Sequence, residues 1–273
     1  MLAQAFQRIC KERRISYEAT SRLEVDMTKS KEVKNFFSQR SFTHIINCSG
    51  YTKVDLAEKE MDQAHLLNVT GIEHLASLAK QHRCRLIHFS TDYVFDGHSK
   101  IPYLEEDPCR PLSVYGKTKL LGEERLYALY PQACIIRTSW LFGREGNDFF
   151  KKIVQLMQKE ETIRVVQDQI GRPTFCDDLV EATLHLLNHE GLFHFANQGR
   201  TSWYHIAQMI HSWLKTQEIP IACKTIIPIS TKQFNAPAER PLYSVLSTQK
   251  YEKAVGHPPL WEERLNRCFP YAI

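Results

Sequence analysis

The chain has 273 residues, 43% of them hydrophobic and 24% charged, with a formal net charge of +4. That length and balance exclude a disordered or fibrous chain and leave one large α/β domain or two unequal lobes. Lys and Arg are scattered without interleaved aromatics, and no apolar run reaches membrane-spanning length, so neither nucleic acid nor membrane is an expected partner.

In chain order, residues 2–13 carry a helical pattern, and a short extended run is expected near Ile15–Ala19. Asp26 opens a helix-like stretch through Phe37, with Thr28 or Ser30 as its cap. "THIINCSG" (43–50) reads as a strand. Residues 62–81 place Leu66, Val69, Ile72, Leu75 and Leu78 at helical spacing. Leu86–Phe89 form the next apolar strand, which runs into Ser90, Thr91 and Asp92. A loop rich in proline and acidic residues leads to a helix over 113–129 and a strand in "ACIIRTSWLFG" (133–143). Then follow a helix over 149–158, a strand "TIRVVQ", a helix over 177–187, a strand "GLFHFAN" and a helix over 202–214. Loops dominate after Ile219. Strand and helix in alternation predict βαβ units: a Rossmann-like, doubly wound parallel sheet with helices on both faces. Eight cysteines are widely spread without a C-x-x-C pair, which predicts free core thiols in a reducing, cytoplasmic compartment.

The cluster at the tip of the 86–89 strand has two readings. Ser, Thr and Asp bond their own backbone and end strands, so they suit a turn. They also stand at the carboxyl edge of a parallel sheet, where ligands bind. Tyr115 and Lys119 favour the second reading. They form Y-x-x-x-K on a predicted helix, and residues four apart share a face. An ammonium beside a phenol lowers the phenol's pKa, and the phenol can then protonate a carbonyl oxygen as hydride reaches the carbon. The Thr91 hydroxyl can stabilise charge on the same oxygen.

The ordered pieces "STDYVFDG…PYLEEDPCRPLSVYGKTKLLGEE", "INCSGYTKVDLAE", "IIRTSWLFGREGNDF", "VVQDQIGRPTFCDDLVEA", "GLFHFANQGRTSWYHIA" and "RPLYSVLSTQK" resemble the extended short-chain dehydrogenase/reductase superfamily. Within it they resemble the dTDP-4-dehydrorhamnose reductase family, from about residue 20 nearly to the end. The resemblance implies that Thr91, Tyr115 and Lys119 are catalytic, with Lys119 also holding the nicotinamide ribose. It implies that Asp26 and Met27 lie near the adenine and that Cys48, Ser49, Gly50 and Tyr51 follow the cofactor backbone. Tyr93, Trp140, Thr174 and Arg240, with Pro173, would face the sugar nucleotide. Residues 1–142 would form the NADP-binding region and 143–273 mainly a smaller α/β substrate lobe, interleaved with the first. The implied reaction is NADPH-dependent reduction of the C4 ketone of dTDP-4-dehydro-L-rhamnose to dTDP-L-rhamnose. Arg22 after the second expected strand leans toward NADPH over NADH. Tyr93 follows Asp92 where sugar-nucleotide dehydratases carry a second acid, which argues against dehydration. Some relatives pair through a metal-bridged interface, so the resemblance admits a homodimer and Mg2+, with no ligand positions readable in this sequence.

One part of the pattern is missing. The family begins with a strand and a glycine-rich turn that cradles the cofactor diphosphate. Here Met1 and Leu2 stand where that fingerprint ends, and Ala3 replaces its last glycine. Either a start lies upstream, or the chain is shortened and binds NADPH weakly. A rival reading follows from the second case: a non-catalytic regulatory subunit of the same fold, like the methionine adenosyltransferase β subunit. Elsewhere the bland readings are preferred. His185 and His189 have metal-helix spacing without the accompanying Glu, so no metal site is assigned. Glu105, Glu106 and Asp107 read as loop or capping acids, Trp203 and Tyr204 as packing residues, and His88 as a satisfied core histidine.

Overall fold

The computed structural model describes residues 1–146 and 148–268. Helix α1 (Leu2–Glu12) turns Leu2, Ala5, Phe6 and Ile9 inward. Helix α2 (Ser30–Ser38) buries Val33 and Phe37. Strand β1 (His44–Asn47) follows. After two short helices, a π-helical turn at Leu66–Thr70 feeds helix α3 (Gly71–His82), which Arg83 ends in the left-handed conformation. Strand β2 (Arg85–Thr91) leads through a 3-10 turn at Asp92–Val94 toward helix α4 (Val114–Leu129), capped by the Ser113 side chain. Strand β3 (Cys134–Thr138), helix α5 (Phe149–Lys159) and strand β4 (Thr162–Val166) come next. Helix α6 (Cys176–His185), strand β5 (Gly191–His194), helix α7 (Trp203–Thr216), strand β6 (Thr225–Ile229) and helix α8 (Trp261–Cys268) complete the main elements.

The central sheet has four parallel strands in the order β1-β2-β3-β5. β2 and β3 carry apolar cores, Leu86, Ile87 and Phe89 in one and Cys134, Ile135 and Ile136 in the other, and are buried on both faces, as parallel strands between helices must be. One face packs against α2, α3 and α4 through Val33, Ile72, Leu86, Leu126 and Ile135. The other packs against α1 and α6 through Phe6, Ile87, Ile136, Leu179 and Phe193. A third core joins α5, α7 and α8 around Met157, Ile210 and Trp261, beside the small parallel β4–β6 sheet. α4 is also fixed by a buried ion pair: Arg137 of β3 meets Glu123 at 2.7 Å, both side chains under 5% exposed.

Three expectations need correction. Ile15–Ala19 is exposed coil, with Ser16, Tyr17 and Glu18 supplying no apolar face to bury. Neither Thr28 nor Ser30 caps α2; Asp26 instead accepts hydrogen bonds from the Thr28 backbone and hydroxyl, and its own N–H donates to Glu32. The helix expected over 62–81 is interrupted by the π turn, which its apolar spacing does not reveal. All eight cysteines are free. Among the described residues no helix is long and apolar enough to cross a membrane.

Candidate active site

The carboxyl ends of β1, β2 and β3 lie side by side, with Asn47 in register with His88 and Thr91 in register with Thr138. What leaves those ends therefore meets in space. Cys48–Tyr51 follow β1, Asp92 and Tyr93 follow β2, and Ser139 and Trp140 follow β3. Helix α4 brings Tyr115 and Lys119 against the tip of β2. The approach depends on Gly116, where an added Cβ would lie 2.3 Å from the Tyr93 carbonyl oxygen.

Thr91 and Tyr115 come together. Their side chains share a hydrogen bond, which works against the burial that pushes the Tyr115 phenol up to about 12. The phenol therefore keeps its proton at neutral pH, and the lowered tyrosine pKa expected from Lys119 is not found. The reason is geometric. Lys119 Nζ is turned to His88 Nε2 at 3.1 Å and donates to the Phe89 carbonyl at 2.6 Å. Burial brings this amine down to about 8. The Thr91 hydroxyl donates to Asp92 Oδ1 at 3.0 Å and accepts from the Tyr93 N–H at 3.2 Å. Asp92 is pushed up to about 6 by burial, against hydrogen bonds from Ser244 and Thr91.

Around this centre the other expected residues fall into two groups. Gly50 approaches Lys119 closely: a Cβ there would sit 3.9 Å from Nζ and 3.2 Å from Asn68 Oδ1. The Tyr51 N–H donates to Asn68 Oδ1 at 2.8 Å, and Asn68 Nδ2 donates to the Tyr51 carbonyl and to Thr118. The π turn thus pins the 48–51 loop beside the lysine, leaving a backbone cradle that a side chain at position 50 would crowd. Ser49 lies against buried Met27, whose carbonyl faces His74 Nδ1. Burial raises Cys48 to about 12. Asp26 is buried and occupied by its own turn, with Arg22 at 3.4 Å.

On the other side, Tyr93 packs edge-on against Tyr115, ring centroids 5.7 Å apart. Arg240 grips both oxygens of Asp55 at 2.9 and 2.8 Å and also bonds the Tyr93 side chain. Trp140 adopts a left-handed backbone, φ 48°, and stacks on Trp203 at 3.7 Å. Thr174 is wholly buried and accepts from Thr138 Oγ1 at 3.2 Å, so it stands behind the tip of β3 rather than at a surface. Of the acidic loop, Glu105 accepts the His194 N–H, and Asp107 accepts the Leu104 N–H. His185 is exposed at the end of α6. Among the described residues no group of His, Cys, Asp and Glu is arranged to hold a metal.

Sequence reasoning missed Asn68, Asp55 and the role of His88. A π turn leaves no compositional mark, the Arg240–Asp55 pair spans 185 residues, and a histidine inside an apolar strand looks like core.

The family model described as RmlD substrate binding domain matches residues 1–272. Spore coat polysaccharide biosynthesis protein SpsK of Bacillus subtilis is 38% identical over 248 residues, 86% of this chain and 85% of that protein. The dTDP-4-dehydrorhamnose reductase of Aggregatibacter actinomycetemcomitans is 35% identical over 258 residues, covering 91% and 88%. A crystal structure of dTDP-4-dehydrorhamnose reductase from Bacillus anthracis in complex with NADP superposes with a TM-score of 0.92. It is 33% identical, covering 98% of this chain and 95% of that one.

Proposed function

Because this chain belongs to the RmlD substrate binding domain family, with the dTDP-4-dehydrorhamnose reductases as close relatives, we propose that it is an NADP-dependent oxidoreductase. It reduces the C4 ketone of dTDP-4-dehydro-L-rhamnose to the alcohol of dTDP-L-rhamnose. The observation that carries the assignment is the hydrogen-bonded Thr91–Tyr115 pair with Lys119 buried one helical turn away. Relatives named as reductases, and intact Tyr115 and Lys119, weigh against the non-catalytic alternative.

Each side chain has a task in this reading. When bound, the reduced nicotinamide supplies hydride to the ketone carbon. Tyr115 holds a proton at neutral pH and passes it to the ketone oxygen as that oxygen gains charge. Thr91 turns its hydroxyl hydrogen from Asp92 to the same oxygen and stabilises it. Lys119, beside the Gly50 backbone, serves the cofactor ribose. Cys48, Ser49, Gly50 and Tyr51 line the cofactor's path, with Asp26 and Met27 at its adenine end. Tyr93, Trp140 and Arg240 take the sugar nucleotide, and Thr174 supports them from behind. Residues 1–142 carry the cofactor, and 143–273 mainly the substrate, with α6 and β5 returning to the first region's sheet. Eight unpaired thiols support a cytoplasmic setting. A homodimer without nucleic acid is the expected working form.

The test is NADPH oxidation by the full chain with dTDP-4-dehydro-L-rhamnose. Tyr115→Phe should lower kcat by about 10²–10⁴-fold while leaving the circular dichroism spectrum unchanged. Wild-type protein that leaves NADPH untouched in the presence of this ketone would refute the assignment.

A further inference from the structure

His88 sits on β2 with 1% of its surface exposed, and both ring nitrogens face polar groups from other elements. Nδ1 lies 3.1 Å from Asn47 Nδ2 on the neighbouring strand. Nε2 lies 3.1 Å from Lys119 Nζ on α4. A neutral imidazole has one N–H and one lone pair, so the two contacts cannot have the same polarity.

The polarity can be read from the end of the chain of bonds. Asn47 Oδ1 accepts the Ser49 backbone N–H at 3.0 Å, and the Ser49 hydroxyl as well. A backbone N–H can only donate, so the oxygen of Asn47 faces Ser49 and its NH2 faces His88. That NH2 can only donate, so His88 Nδ1 carries the lone pair and the ring proton is on Nε2. The Nε2–H then points at Lys119 Nζ, which must accept it, and only an uncharged amine has a lone pair to do so. One of the amine's hydrogens goes to the Phe89 carbonyl at 2.6 Å. Each polar atom along this run of bonds then has a partner of the right polarity.

We propose that His88, oriented by Asn47, is the positioning residue for Lys119, and that it holds the lysine as a free amine in the cofactor-free protein. The inference rests on the assignment of Lys119 to the reductase site. Charging Lys119 in place would set the ammonium against an N–H. To relieve that, His88 must move its proton to Nδ1 and Asn47 must turn its amide over. The turned amide would lose the Ser49 N–H, and a buried donor left unpaired costs about 1–3 kcal/mol. The protonation state of Lys119 is therefore tied to the Cys48–Tyr51 loop, the proposed path of the cofactor. A cofactor that reorganises that loop would also ready the lysine to take up a proton.

Other titratable groups near the pair do not replace His88 in this role. Glu123, one turn further along α4, acts on Lys119 but is already held by Arg137 of β3. Tyr115 on α4, Asp92 and Tyr93 beyond β2 and Cys48 beyond β1 are further titratable groups at this sheet edge. Burial lowers both His88 and Lys119; burial by itself leaves the lysine at about 8, still mostly charged at neutral pH, so it is the N–H of His88 aimed at Nζ that favours the free amine.

Two measurements test the proposal. In the cofactor-free wild-type protein, nitrogen-15 chemical shifts should show His88 protonated at Nε2 and bare at Nδ1 at neutral pH. The opposite tautomer, or an imidazolium, would overturn the proposal whether or not the chain proves to be a reductase. In turnover, His88→Leu should lower kcat by about tenfold and move the pH profile of kcat/KM by about one unit, while KM for the sugar nucleotide changes little. His88→Gln, which can still present an amide N–H to the lysine, should recover most of the rate. A folded His88→Leu protein with the wild-type pH profile would assign His88 to packing alone. If His88→Leu does not fold, the tautomer measurement decides. Wild-type protein inactive on the ketone but showing the Nε2 tautomer would sink the functional assignment and leave the hydrogen-bond chain standing.

Discussion

At the residue scale, the candidate site buries groups that water would otherwise level. Asp92 shows the effect most directly. Its carboxyl lies just beyond the tip of β2, 1% exposed, and burial pushes it up to about 6 from near 4. A carboxyl raised by folding contributes stability that is fully present below the unfolded pKa and is lost as pH rises through the folded one. Stability should therefore fall between about pH 4 and pH 6, by on the order of 3 kcal/mol from this group. Asp92→Asn should remove that step, so the urea midpoint at pH 4 should fall relative to the midpoint at pH 7, compared with wild type. An unchanged midpoint difference would show that Asp92 is not the buried acid described. The residues of the centre were legible from sequence because their chemistry is type-specific: Thr91, Tyr115 and Lys119 were expected together, and Thr91 meets Tyr115. The direction of their interactions was not legible. Whether Lys119 faces a phenol or an imidazole depends on the His88 side chain of β2, and no spacing rule encodes that.

At the scale of elements, close contacts between helices position the site more than helix propensity does. Gly122 lets α4 lie against the π turn, and a Cβ there would meet the Asn68 carbonyl oxygen at 2.2 Å. Backbone cannot yield as a flexible side chain can. Gly122→Ala should thus cost about 1–3 kcal/mol in denaturant unfolding. Because the displaced turn also carries Asn68, it should weaken NADPH binding in a calorimetric titration, a result that a remote destabilising change would not produce. Strands and helices with strong apolar periodicity were readable along the chain: β1, β2, β3, α4 and α7 lie where the pattern puts them. Ile15–Ala19 shows the limit. β-propensity describes fit to a half-buried pleated surface, and this segment has no neighbour to pair with and no apolar face. The π turn shows another limit, since one extra residue in a helical ladder leaves the apolar repeat almost intact.

At the scale of the whole molecule, segments far apart in sequence are joined by packing and by a few polar ties. The fold class was the most legible feature, because strand–helix alternation over the whole chain leaves few alternatives. The ties were not legible. Arg240 joins the short helix Val54–Ala57 to the segment before β-paired Tyr243, across 185 residues. Its partner Asp55 has a side chain 44% exposed, so the pair should add only about 0–1 kcal/mol to stability. Its importance is positional, since Arg240 also holds Tyr93. Asp55→Asn should leave the melting temperature nearly unchanged and raise KM for the sugar nucleotide by about tenfold. A large drop in melting temperature with unchanged KM would make the pair a structural clamp instead.

The sheet order has a consequence for how the molecule breathes. Among the described strands β1 has a partner on one side, β2, while β3 is paired on both. Ile45 and Ile46 are only partly buried, whereas Ile135 and Ile136 are sealed. Deuterium should therefore enter the outward-facing amides of His44–Asn47 by local fraying, and reach those of Ile135 and Ile136 only when the whole sheet opens. Uniform uptake across the four strands would mean that something covers the outer rim of β1.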